Sequence, residues 1–217
     1  MNALRLMTKV IMVEIGHGAA ALAYLENWQR LKVEYEIKWL GEFWWAMHVL
    51  AADQLLTAIA RIYDTSRESV SIHTVLKRLE HHAEECEWLF SHEARLDFPN
   101  PDEAVDRLLR KWSQEVRISI RDRLNRVKEV RDKLIAHRDT KVVLQKISIE
   151  PLLLADVRRL LEAAEEFTND VYLLTDNGEY SSELFYEDVR KDLAFTLEMF
   201  KQGLVSARQR LDDNLRP

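Results

Sequence analysis

The chain has 217 residues, of which 47% are hydrophobic and 31% charged. That composition suits one globular domain with a sizeable core and excludes a disordered chain. A net charge of −6 and a pI of about 5.7 exclude a protein that coats nucleic acid by bulk charge, while a local basic face stays open.

Only 5 Gly and 4 Pro punctuate the sequence, so a few long helices are expected rather than many short strands. The lone cysteine, Cys86, rules out an internal disulfide framework and suits a reducing compartment. Residues 3 to 38 read as two helices that break or kink at Gly16 and Gly18. The run Val10-Ile11-Met12-Val13 is interrupted by Glu14 and His17. It is too short and too polar for a signal peptide or a membrane span, so a cytoplasmic protein without a membrane partner is expected.

Gly41 precedes an apolar segment, Glu42 to Asp64, that suits a central bundle helix. A polar connector, Thr65 to Ser69, leads to a helix from Ser71 to Ser91. The clearest boundary is Asp97 to Glu103, where Asn100 suits an N-cap, Pro101 the first helical position and Glu103 a capping-box partner. The helix that starts there can run to His137. Lys141 to Ile149 then turns β-branched and alternating, an extended excursion too short and isolated to build a sheet. Pro151 ends it, a helix follows from Leu153 to Leu174, Asp176-Asn177-Gly178 makes a turn, and a last helix covers Ser182 to Leu211. The expected architecture is all-α: a single domain over residues 1–217, built as an up-and-down bundle of long helices.

The helix from Asn100 carries an apolar stripe, Leu109, Trp112, Val116, Ile120, Leu124 and Val127, at steps of three or four residues. The next steps are 131 and 134, and position 131 is arginine. A guanidinium on a seam is costly without partners. His137 and Arg131 lie roughly 60° to either side of Leu134 and about 9 Å apart along the axis, close enough to converge on one small anion. From Val105 to Lys141 there are 12 Lys or Arg and 6 Asp or Glu, net +6, so the rest of the chain is −6 − 6 = −12. Positive charge is therefore concentrated around Arg131, as a phosphate-backbone binder needs. A structural explanation competes: Arg131 could pair with Asp53, Asp64 or Asp170, and His137 could only complement a helix C-terminus.

The string Arg131-Asp132-Lys133-Leu134-Ile135-Ala136-His137-Arg138-Asp139 resembles the motif of the HEPN superfamily. That motif is an arginine followed by a polar residue, then a histidine after four to six intervening positions. Ala60-Arg61-Ile62-Tyr63-Asp64 with the Ser-bearing connector and Ser71-Ile72 resembles the AbiU-type branch, linked to abortive infection. The resemblance is strongest over residues 42–174. It implies a HEPN-like bundle and a metal-independent endoribonuclease, without cofactor, in which the RNA 2′-hydroxyl attacks the adjacent phosphorus. It further implies a homodimer with motif helices facing across a cleft, and a toxin or phage-defence role with an antitoxin or regulatory protein as second partner. By analogy His137 is the general acid/base and Arg131 stabilises the transition state. Asp132, Lys133, Arg138 and Asp139 would orient these groups or bind substrate. The alternative is a non-catalytic helical module that binds RNA or protein.

Other constellations are weaker. His73, His81, His82, Cys86 and His92 fall on one segment, but the interspersed glutamates favour a solvated face over a metal site. Trp39, Trp44 and Trp45 suit core or interface packing better than base stacking. Glu165-Glu166 reads as ordinary helix surface.

Overall fold

The computed structural model describes residues 3–34, 42–82, 100–132, 152–175 and 181–214. Among these residues lie seven α-helices: α1 (Ala3–Glu34), α2 (Glu42–Ile62), α3 (Ile72–His81), α4 (Pro101–Arg110), α5 (Arg117–Val130), α6 (Leu154–Thr175) and α7 (Glu183–Asn214). A π-helical segment, Lys111–Val116, joins α4 to α5 without interruption. No strand occurs among the described residues. The chain is an all-α bundle; the expected excursion at 141–149 and turn at 176–178 lie outside the described residues.

Helix α1 is the hub. It packs along α2, α6 and α7 and touches α3, while α5 lies against α6 and α2. Its sequence is apolar on several sides at once: Leu4, Ile11, Ile15, Leu22, Leu25 and Trp28 are all buried. The residues from Ala3 to Trp28 are long and apolar enough to cross a bilayer by length and composition, and half of the qualifying window is buried inside the bundle. The helix is thus longer and more apolar than the Val10–Val13 run alone suggests.

The expected break at Gly16 and Gly18 does not occur; α1 runs straight through both. A Cβ on Gly18 would meet Leu161 Cδ2 at 2.7 Å and Ala58 Cβ at 3.5 Å. The glycine therefore lets α1 approach α6 and α2 closely, and tertiary packing overrides its poor helix propensity.

Helix starts follow their caps. Asn100 Oδ1 accepts the Asp102 N–H at 3.0 Å with Pro101 in the first turn. Glu103, expected as the box partner, is exposed in that turn, where a carboxylate complements the helix dipole. Ser71 makes a reciprocal capping box with Thr74: the Ser71 N–H donates to Thr74 Oγ1 at 2.9 Å and the Thr74 N–H donates to Ser71 Oγ at 3.3 Å. The Ser71 hydroxyl also donates to the Asp64 carbonyl at 2.7 Å, fixing the α2–α3 connector. Within that connector region, Tyr63 donates its hydroxyl to the Leu160 carbonyl at 2.7 Å, and Arg61 pairs with Glu14 at 3.1 Å.

A second polar tie joins α1, α6 and α7. Arg158 pairs with Glu26, the Tyr186 hydroxyl donates to Glu26 Oε2 at 2.7 Å, and the guanidinium lies 4.9 Å from the Tyr186 ring centroid. Glu26 holds the Arg158 guanidinium even further toward its charged form.

Candidate functional site

The α4–α5 helix reaches the motif in a different phase from the one its sequence suggests. Its buried residues are Ala104, Val105, Leu108, Trp112, Ile120, Val127 and Val130; Leu109, Val116 and Leu124 are only half-buried. The seam beyond Val127 passes through Val130, not through Arg131. In a regular α-helix, Ile120 would point about 80° away from Trp112, eight residues earlier. The π segment absorbs that difference, because each π turn contains more residues than an α turn.

Arg131 is half-buried beside the seam, with 33% of its side chain exposed against 47% for Asp132. Its Nε and NH2 donate to Asp132 Oδ1 at 2.8 and 2.6 Å. None of the three distant acids that its position suggested is its partner. Asp170 instead accepts from Lys111 Nζ and from Trp112 Nε1, both at 2.8 Å, while Asp64 accepts the Ser66 N–H at 3.0 Å. The helix widens again to the π form at Arg131 and Asp132, although the Arg131 N–H itself still donates to the Val127 and Lys128 carbonyls. Lys133, His137, Arg138 and Asp139 lie outside the described residues, so of the six candidate site residues the structure places Arg131 and Asp132.

The basic charge of this helix divides between two sides. Toward α6, Lys111 bridges Glu166 and Asp170, and Arg123 and Arg126 share Asp156 at 2.9 and 3.3 Å. Burial alone would lower the Lys111 pKa, but its hydrogen bonds to Asp170 and Glu166 outweigh that and raise it. Toward α3, a groove of about 640 Å³ opens, lined among others by His73, Lys77, Arg117, Arg121, Leu124 and Lys128. The four cations on this side carry no ion pair among the described residues. Partial burial, with Lys77 and Arg117 nearby, lowers the His73 pKa.

His73, expected on a solvated face with His81, His82, Cys86 and His92, instead lines this groove beside Lys77. Among the described residues no three His, Cys, Asp or Glu side chains gather closely enough to hold a metal ion. His81 and His82 are exposed, and Cys86 and His92 lie outside the described residues. A usable signal was the i,i+4 spacing of Arg117 with Arg121, since like charges so placed are unfavourable on a plain helix surface. Trp45 is 70% exposed, whereas Trp39 and the Trp44 side chain lie outside the described residues. Glu165 and Glu166 are more than ordinary surface: Glu165 accepts from Ser182 and Glu166 pairs with Lys111.

A protein-family model, HEPN_AbiU2 (described as AbiU2), matches residues 9–195, a span wider than the 42–174 stretch that the motifs alone suggest. No curated protein and no solved structure matches the chain.

Proposed function

The chain belongs to the AbiU2 family of HEPN proteins, and from that membership we propose that it is a metal-independent endoribonuclease acting as a toxin or phage-defence effector. The supporting observation is the Arg131-x5-His137 string, whose Arg131 closes a helix along which Arg117, Arg121 and Lys128, without ion pairs among the described residues, share one groove. In the proposed reaction the RNA 2′-oxygen bonds to the adjacent phosphorus as its proton leaves to a histidine. The P–O5′ bond then breaks as the departing oxygen receives a proton. The products are a 2′,3′-cyclic phosphate and a 5′-hydroxyl. His137 moves the protons, since imidazole titrates near neutrality. Arg131 stabilises the extra charge on the phosphorane. Asp132 holds the Arg131 guanidinium in one orientation, and Lys133, Arg138 and Asp139 contact substrate. In this proposal two cytoplasmic copies face each other across a cleft, each supplying a histidine, and an antitoxin or regulatory protein restrains them.

Incubation of purified protein with end-labelled RNA in EDTA tests this. Cleavage with 2′,3′-cyclic ends is expected, and His137→Ala or Arg131→Ala should slow it on the order of 10²-fold or more. The proposal fails if no RNA class is cut or if His137→Ala cuts as well as the parent. One observation favours a second reading, a module that binds RNA without cutting: the Arg131 guanidinium is already committed to Asp132. Salt-dependent RNA binding without cyclic ends would identify it.

A further inference from the structure

The groove between α3 and the α4–α5 helix is built in a way that cleavage chemistry alone does not require. Its walls carry Lys77 from α3 and Arg117, Arg121 and Lys128 from α5; Glu80 lines it too, and the Asp64 carboxylate, at its edge, attracts Lys128 without forming an ion pair. The chain has 37 Asp and Glu against 31 Lys and Arg, so acids are abundant, and cations on the α6 side of the same helix have them. Four cations left unpaired around one cavity repel each other, and a polyanion would relieve that repulsion. Between the cations the lining is aliphatic: Ile72, Leu76, Leu109, Ile120 and Leu124. Ile118, 75% exposed, stands at the groove beside Arg117.

The groove runs toward the motif. Arg117 to Lys128 spans about 16 Å along the helix, and the α5 residues from Ile120 round to Asn125 occupy an arc of about 140°. On that wheel Arg131 lies about 20° from Leu124 on one side and Asp132 about 80° on the other, both inside the arc. We infer that the groove holds a single strand of RNA, its phosphates on Lys77, Arg117, Arg121 and Lys128 and its bases against the aliphatic lining, and leads it along α5 to Arg131. That the strand is then cut rests on the ribonuclease proposal above.

A single strand fits better than a duplex. A duplex keeps its bases inside and presents backbone and groove edges, leaving the aliphatic lining and Ile118 without contact. Two of the rings at the groove are otherwise engaged: Trp112 is buried with its N–H on Asp170, and the Tyr63 hydroxyl is on the Leu160 carbonyl. Base contacts are therefore mainly aliphatic, with the half-buried His73 imidazole the remaining ring, and selectivity among bases is weak, as is usual for backbone-tracking sites.

Fluorescence anisotropy of a labelled oligouridylate, with the full chain carrying His137→Ala so that the RNA stays intact, tests the inference. Replacing both Arg117 and Arg121 with alanine should weaken binding at least about ten-fold at low salt and flatten the salt slope by about 0.7 for each phosphate that no longer meets a cation. Ile118→Ser should weaken binding of the oligouridylate and leave binding of heparin unchanged. Both arginines and Ile118 are exposed, so thermal melts should match the parent. Unchanged affinity and slope in the double variant would overturn the inference, as would duplex RNA competing as well as a single strand. The two proposals fail separately. Groove-dependent binding without cleavage by the parent removes the nuclease and keeps the groove. Cleavage with an unaltered KM in the double variant removes the groove and keeps the nuclease.

Discussion

Arg131 illustrates how a residue's neighbours determine what its removal means. Had it been half of a buried ion pair with a distant acid, deleting it would cost several kcal/mol. It is instead half-exposed and paired with the next residue along the chain, so the pair contributes on the order of 0–1 kcal/mol to stability. Arg131→Ala should therefore melt close to the parent, and any loss of RNA cleavage in that variant belongs to the chemistry. His73 gives a second residue-scale expectation. Burial and the charges of Lys77 and Arg117 lower its pKa in the folded chain, so below the unfolded value of about 6.5 the unfolded state binds the proton more readily. The stability contribution is present above that pH and declines as pH falls through the window beneath it. Melts of the parent and of His73→Gln should show the parent losing ground to the variant between pH 7.5 and 5.5. A gap that stays constant over that range would contradict the shift.

At the scale of elements, the π segment is anchored by one carboxylate. Asp170 on α6 accepts from two consecutive residues of the segment, Lys111 and Trp112. The Trp112 ring meets Phe167 edge-on at 5.0 Å. Successive residues on a regular α-helix diverge by about 100°, so one acceptor serving both suits a locally widened helix. Asp170→Ala would leave the buried indole N–H without its acceptor and should cost about 1–3 kcal/mol by urea unfolding. Asp170→Asn keeps an oxygen for Trp112 and should cost less. Equal stability in both variants and the parent would show that the segment holds its form by other means.

Across the whole molecule, α1 holds the bundle together, and its closest approach is at Gly18. Gly18→Val should destabilise by about 2 kcal/mol through overpacking against Leu161 and Ala58. Gly18→Ala should fall near zero, because its gain in helix propensity, about 1 kcal/mol, offsets a smaller clash. Calorimetric Tm values for the two variants decide it. That function of Gly18 was not legible from the chain, where an isolated glycine reads as a break; only the facing Leu161 shows that it is a contact. The limits of α2 and α6 were legible to within two residues from apolar periodicity, and the start of α4 from the Asn100 cap, because both are local signals. The motif was legible as residue types. Which cations of the basic helix are spent on α6 and which face the groove was not, because that depends on Asp156, Glu166 and Asp170 arriving from a distant part of the sequence.

The π segment also works as a gear between the two halves of one helix. Losing a single residue from Lys111–Val116 would let the helix relax to regular winding at almost the same phase, because seven α steps of about 100° bring Ile120 within about 20° of Trp112. Losing one from the regular turns of α5 would find no such slack and would swing everything downstream by about 100°. A loss at Asp122 would then take Lys128 and Arg131 out of the groove together, with both side chains intact. Two chains differing by that one residue would carry the same Arg131-x5-His137 string and present it in different directions. Loss or gain of activity would then follow from an insertion or deletion in the regular turns of α5, outside the motif, and not from a loss within the π segment.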